Sequence, residues 1–266
     1  MPVPPVRPMR LLVLVATLLA GGCNRARSAV PDAPFDVLET YPHDTGSYTQ
    51  GLVWEGGVLY ESAGRYGDSD VRRVDRRTGE VRAVTRLDAA RFGEGLALLR
   101  GRLYQLTWES KVGYVYDAAT LARVDSFPYA GEGWGLATDG TALVMSDGSD
   151  SLRFLDPATY AVQRVVHVRY QDSPLTKLNE LEFIDGELFA NVYESDWIAR
   201  IDPATGQVRA LLDFGTLWPR EQRPYGTDVF NGIAKGDAPG ELLVTGKLWP
   251  RLYRVRLRPA SAPARE

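Results

Sequence analysis

One pattern recurs five times along this 266-residue chain, at steps of 44, 40, 45 and 52 residues. Each copy opens with Gly, or once Glu, before an apolar residue: Gly51-Leu52, Gly95-Leu96, Gly135-Leu136, Glu180-Leu181 and Gly232-Ile233. A short apolar strand follows: Leu59-Tyr60, Leu103-Tyr104, Leu143-Val144, Leu188-Phe189 and Leu243-Val244. A third, alternating segment ends in Asp75, Asp117, Asp156 and Asp202 in the first four copies, and in Val255 in the fifth. Turn residues separate the pieces. Gly56-Gly57, Arg100-Gly101, Asp139-Gly140 and Asp185-Gly186 supply the positive φ that a tight hairpin needs. After the Asp come Thr78-Gly79, Ala119-Thr120, Ala158-Thr159 and Thr205-Gly206. These lead into fourth alternating stretches at Val81 to Leu87, Arg123 to Phe127, Ala161 to Val168 and Val208 to Phe214. No long segment of 3.6-residue period competes.

Four antiparallel strands per unit, repeated every 40 to 50 residues, predict an all-β chain folded as a five-bladed β-propeller. The fifth unit lacks a fourth strand. The stretch Phe35 to Tyr41 alternates correctly and precedes the first unit. We expect it to pair as the outer strand of the last blade, closing the ring and covering two strand edges. An open β-sandwich is the competing architecture, and the even spacing disfavours it. The propeller is expected over residues 35–258, with 259–266 a disordered tail.

The start of the chain reads as an address. Arg7 and Arg10 precede an apolar run from Leu11 to Ala20, which is short for a bilayer span. This predicts a signal peptide over 1–22 and a flexible tether over 23–34. Ala20-Gly21-Gly22-Cys23 resembles a bacterial lipobox, in which the cysteine is acylated and becomes the mature N-terminus, although Ala20 stands where Leu is commoner. A plain signal peptide is the alternative. With Asn24 next, the expected location is the periplasm, lipid-anchored at the outer membrane. That lipid is the only membrane contact expected.

Composition narrows the chemistry. Lys and Arg total 31 against 34 Asp and Glu, a net charge of −3. Nucleic acid is therefore not an expected partner, because binding it requires a basic surface. The two histidines, His43 and His167, cannot form a three-His zinc site, and a lone Cys permits no thiolate cluster.

In a propeller the residues beside each inner strand converge near one axis. They are Tyr48-Thr49-Gln50, Phe92-Gly93-Glu94, Glu132-Gly133-Trp134, Leu178-Asn179-Glu180 and Phe230-Asn231. The second strands are expected to add Glu61, Trp108, Tyr193 and Lys247. An apolar enclosure with a few convergent polar groups is the usual form of a small-ligand site. Each residue has a plainer role open to it. Trp108, Trp134 and Tyr193 would serve as packing, Gln50 and Asn179 as partners for buried backbone, and Lys247 as a surface residue. Glu94 would serve in a salt bridge. A carboxyl among aromatics has a raised pKa, however, which suits proton transfer near neutrality.

Several of these segments resemble one family, the plant and bacterial glutaminyl-peptide cyclotransferases. The segments are Ser47 to Leu52, Leu59 to Gly67, Gly93 to Leu96, Leu106-Thr107-Trp108, Gly133 to Leu136, Leu178 to Glu182, Ile201-Asp202, Asn231 to Ala234 and Thr245-Gly246-Lys247. They run in order from about Phe35 to Leu257. The resemblance implies a five-bladed propeller that converts the N-terminal Gln of peptides or proteins to pyroglutamate, releasing ammonia. It makes Glu94 the catalytic glutamate and places Gln50, Asn179 and Lys247 around the substrate amide. Lys247 is assigned with Glu94 to catalysis. Tyr48, Phe92, Trp108 and Trp134 become aromatic walls. Tyr193 stands where the plant enzymes have Trp, and Tyr48 where Phe is usual. The chemistry calls for no metal or other cofactor. A structural cation in the channel is compatible with the reading, and a monomer is expected. Two other readings stay open. One is a Ca²⁺-dependent lactonase-like propeller using oxygen ligands from Glu94, Asn179, Asn231 and Asp147. The other is a non-catalytic binding propeller of the envelope.

Overall fold

The hairpin turns decide the local geometry. At Gly56-Gly57, Arg100-Gly101 and Asp185-Gly186 both turn residues have positive φ, from 50° to 83°. That conformation matches the right-handed twist of the strands it joins. A second device follows the third strand of four units. Asp75, Asp117, Asp156 and Asp202 each accept backbone N–H bonds from residues two or three places on. The chain then passes through one left-handed residue, Gly79, Leu121, Tyr160 or Gly206. The local side-chain bond holds this turn even where the residue is not glycine.

The structure, a computed structural model, describes residue 1 and residues 35–258. The expected signal peptide, Cys23, the tether and the tail, Met1 apart, lie outside the described residues. Five four-stranded antiparallel sheets form the five blades. Blade 1 comprises Thr49–Glu55, Val58–Ala63, Asp70–Val74 and Val81–Arg86. Blade 2 comprises Gly93–Leu99, Arg102–Thr107, Val112–Asp117 and Arg123–Pro128. Blade 3 comprises Leu136–Thr138, Leu143–Met145, Ser151–Leu155 and Val162–His167. Blade 4 comprises Leu178–Ile184, Glu187–Val192, Trp197–Ile201 and Val208–Asp213. Blade 5 comprises Phe230–Lys235, Glu241–Gly246, Arg251–Leu257 and, as its outer strand, Phe35–Pro42. The N-terminal strand therefore closes the ring as expected, pairing from Phe35 with Leu257 to Pro42 with Arg251. The fourth strands end within one residue of their expected bounds. A small hairpin, Arg169–Tyr170 with Ser173–Pro174, and a 3₁₀ turn at Arg220–Gln222 were not foreseen. The turn lies inside the longest step of the repeat.

Near the axis the inner strands approach closely. A Cβ on Gly51 would lie 2.4 Å from the backbone nitrogen of Leu96. One on Gly95 would lie 2.3 Å from that of Leu136, and one on Gly135 1.9 Å from the carbonyl oxygen of Asn179. These distances explain why glycine recurs before the apolar residue of the repeat. Blade 4 carries Glu180 there instead. Its carboxyl accepts the backbone N–H groups of Leu52 and Ile233 at 3.2 and 2.8 Å, so it ties three blades together. Burial pushes its pKa well above the usual carboxylate range, and Glu182 adds to the effect.

Apolar side chains fill the space between neighbouring blades. Between blades 4 and 5, Phe214, Trp218, Phe230 and Trp249 are buried together, with Trp218 edge-on to Trp249 at 5.1 Å. Burying each such side chain is worth roughly 1.5–3 kcal/mol.

Candidate active site

The side chains at the axis are aimed by irregularities in the inner strands. The pairing of first and second strands slips between Thr49 and Gly51, Gly93 and Leu96, Leu178 and Leu181, and Phe230 and Ile233. Each slip is a bulge, which bends the strand and redirects a side chain. Two residues before the apolar residue of each repeat, these bulges hold Gln50, Glu94, Asn179 and Asn231. Trp134 holds the equivalent place in blade 3, two residues before Leu136. A second ring follows from backbone bonds just past the second strands. Gly64, Trp108, Tyr193 and Lys247 donate their N–H groups to Tyr48, Phe92, Lys177 and Val229.

These two rings enclose a cavity of about 290 Å³ lined by Tyr48, Gln50, Phe92, Glu94, Trp108, Trp134, Asn179, Tyr193 and Lys247. All nine residues singled out in the sequence for catalysis or substrate binding therefore meet in one place. Glu61 does not. It sits within the second strand of blade 1, three residues short of the position that Trp108, Tyr193 and Lys247 occupy in their blades. Gly64 fills that position. A Cβ on Gly64 would lie 2.4 Å from the Phe92 ring, so the missing side chain makes room for Phe92. Asp147 also lies apart, accepting from Ser149 and pairing with Arg153 at 2.6 Å.

Glu94 is 5 % exposed. One oxygen, Oε1, accepts the Gln50 amide at 2.9 Å. Burial pushes its pKa well above the usual carboxylate range. Lys247 opposes that shift and Glu132 adds to it. Lys247 is 3 % exposed, and its ammonium lies 4.6 Å from the Tyr48 ring centre and 5.3 Å from that of Tyr193. Burial pulls its pKa down, against the charges of Glu94 and Asp228. A buried carboxyl and a buried amine thus share one apolar chamber. Both are moved toward neutrality, which suits an exchange of protons.

The walls are fixed by contacts the sequence did not reveal. The indole N–H groups of Trp108 and Trp134 both donate to Glu132 Oε2, at 2.8 and 2.9 Å. Tyr48 donates its hydroxyl to Asp228 at 3.0 Å. Phe92 meets Tyr48, Tyr66 and Trp108 edge-on. Asn179 Oδ1 is buried without a partner among the described residues. Glu132 was visible beside Trp134 in the repeat. Asp228 lies in the long step before Ile233, where the repeat offers no register. Behind the cavity, Glu61 Oε1 accepts from Ser47 at 2.6 Å and Thr49 at 2.7 Å, and meets His43 Nε2 at 3.1 Å. His43 Nδ1 donates to the Trp249 carbonyl at 2.7 Å. This cluster joins the segment carrying Tyr48 and Gln50 to the one carrying Lys247. Among the described residues, no group of three or more His, Cys, Asp or Glu is arranged to hold a metal ion.

A ring of bulged inner strands around a carboxyl, two amides, an amine and aromatic walls defines a class of axial-pocket propellers. The chain belongs to the glutamine cyclotransferase family, whose model matches residues 10–257. A glutaminyl-peptide cyclotransferase of Arabidopsis thaliana is 45% identical over 231 residues, covering 85% of this chain and 72% of that one. The crystal structure of Myxococcus xanthus glutaminyl cyclase superposes with a TM-score of 0.78 at 36% identity. That match covers 84% of this chain and 96% of the other.

Proposed function

We propose that this chain is a glutaminyl-peptide cyclotransferase that converts the N-terminal Gln of peptides or proteins to pyroglutamate and releases ammonia. The observation that carries the reading is the meeting of Glu94, Gln50, Asn179 and Lys247 in one aromatic cavity of a chain of this family.

The reaction is an intramolecular aminolysis. The α-amine attacks the γ-carboxamide carbon, a C–N bond closes the five-membered ring, and the bond to the carboxamide nitrogen breaks. One proton leaves the attacking nitrogen, and the departing nitrogen gains one to become ammonia. A single carboxyl performs both transfers in turn, and we assign them to Glu94. Burial raises its pKa, which makes it a stronger proton acceptor than an ordinary carboxylate. Lys247 polarises the carboxamide oxygen as negative charge grows there. Asn179 Oδ1, an acceptor without a partner, is suited to a substrate N–H. Tyr48, Phe92, Trp108, Trp134 and Tyr193 exclude water and fold the glutaminyl side chain toward attack. None of these steps calls on a metal, so dialysis against a chelator is expected to leave the rate unchanged.

The decisive test is ammonia release from a Gln-initiated dipeptide, read together with a 17 Da mass loss. Glu94→Gln should abolish it. Release that persists in this variant overturns the role of Glu94, and no release by the wild type overturns the function. We also propose export and lipid anchoring through Cys23, and a monomeric enzyme. The n-region arginines, the apolar run and the small residues before Cys23 support the anchor. Mass spectrometry of the mature N-terminus tests it.

A further inference from the structure

Asn231 lines none of the catalytic cavity, yet it occupies the same bulge position in blade 5 that Gln50, Glu94 and Asn179 occupy in theirs. It is fully buried. Its Nδ2 donates to the Thr49 carbonyl at 2.9 Å and to Gln50 Oε1 at 3.3 Å, and its Oδ1 has no partner among the described residues. The next residue, Gly232, has φ of 120°, a conformation that favours glycine and turns the strand at this point.

The orientation of a side-chain amide is decided by its hydrogen-bond partners. The Thr49 carbonyl can only accept, so it must face the NH₂ of Asn231. That same NH₂ then faces Gln50, which must present its oxygen. The NH₂ of Gln50 is left to point at Glu94, where it donates to Oε1 at 2.9 Å. Among the described residues Glu94 Oε2 has no hydrogen-bond partner. One backbone carbonyl thus sets, through two amides from two blades, that Gln50 offers Glu94 a donor and not an acceptor.

We infer that Asn231 is a positioning residue for the cyclisation: it locks the Gln50 amide with its donor toward Glu94, holding Glu94 Oε1 so that Oε2 exchanges the proton. The inference rests on the cyclotransferase reading. Without Asn231 the Gln50 amide is free to turn over and set an oxygen against the carboxylate. The charged form of Glu94 then loses a donor. The other charged or titratable groups around Glu94 are Lys247, Glu132 and the phenols of Tyr48, Tyr129 and Tyr193, and none of them changes.

The test is the pH profile of kcat/KM for ammonia release from a Gln-initiated dipeptide, with melting temperature followed in parallel. The substrate amine is the same for every variant, so a shift between variants belongs to the enzyme. Asn231→Ala should move the acid limb upward by about one pH unit, the scale of one hydrogen bond to a charged group. Gln50→Leu should move it similarly, and the double variant should move it no further than Gln50→Leu alone. Asn231→Ser keeps a donor for Thr49 but does not reach Gln50, and it stands in if the alanine variant does not fold. A lowered melting temperature with an unmoved limb overturns the inference, and so do shifts that add in the double variant. A wild type that releases no ammonia refutes the cyclotransferase reading instead, so the two failures are told apart.

Discussion

The buried cluster behind the pocket makes the sharpest forecast of stability. Glu61 is 1 % exposed and serves His43, Ser47 and Thr49 with one oxygen. Burial alone would raise its pKa. The charge and hydrogen bond of His43, with Arg72 and Ser47, outweigh burial and bring it down from 4.5 to about 2. A displacement of that size corresponds to about 3 kcal/mol favouring the folded state at neutral pH. Removing one partner of a buried ion pair costs about the same, ~3–5 kcal/mol. Glu61→Gln keeps the shape and removes the charge. In a domain of this size about 3 kcal/mol lowers the melting temperature by roughly 6–12 °C. The pH dependence has two sides. Glu61 is held below its unfolded value, so its contribution is complete above 4.5 and is lost as pH falls through about 2. Burial pulls His43 down, but Glu61 and the Trp249 carbonyl outweigh it and hold His43 above its ordinary 6.5. Its share is complete below 6.5 and is lost as pH rises through the folded value. The gap between wild type and variant should therefore be widest between about pH 5 and 6.5. Scanning calorimetry across pH 3 to 9 reads it directly. A gap below 2 °C at pH 6, or one that stays constant down to pH 3, would refute the reasoning.

Three further outcomes are expected. Gly135→Ala places a Cβ 1.9 Å from a backbone oxygen, so it should cost at least about 2 kcal/mol, seen as a lower denaturant midpoint or as loss of soluble protein. Lys247→Met should reduce kcat by about 10²–10³-fold, the scale of one lost donor to a developing oxyanion. It should also move the acid limb upward, because Lys247 restrains the pKa of Glu94. Glu132→Gln removes a charge that raises the pKa of Glu94, so the acid limb should move to lower pH. It also replaces the acceptor shared by two indoles, and KM should rise.

The architecture was legible because its signals are local and repeated. Gly56-Gly57 and Asp185-Gly186 are visible as hairpin turns whatever surrounds them, and five copies of one strand pattern leave little choice of fold. The strand from Phe35 needed one further step, an edge in the fifth blade that something had to cover. Members of the pocket were legible for the same reason: Gln50, Glu94, Trp134 and Asn179 hold one place in the repeat. Glu61 was misplaced because second-strand alternation does not say where a strand ends, and the position three residues on belongs to Gly64. Asp228 lies in a loop outside the repeat, and Glu132 is shared by indoles from two different blades, Trp108 and Trp134. Tyr48 and its partner Asp228 are 180 residues apart. No period encodes such contacts.

The seam of the ring joins Phe35 to Leu257, the two extremes of the described strands. A ribosome delivers the first of these long before the other. The circle is therefore left unlatched until the inner strands of all five blades have been made, and its final fastening is a contact of very high sequence separation. A circular permutant with those ends fused and a new opening at the exposed Asp185-Gly186 turn would turn that fastening into an ordinary hairpin, and it should refold faster than the natural chain.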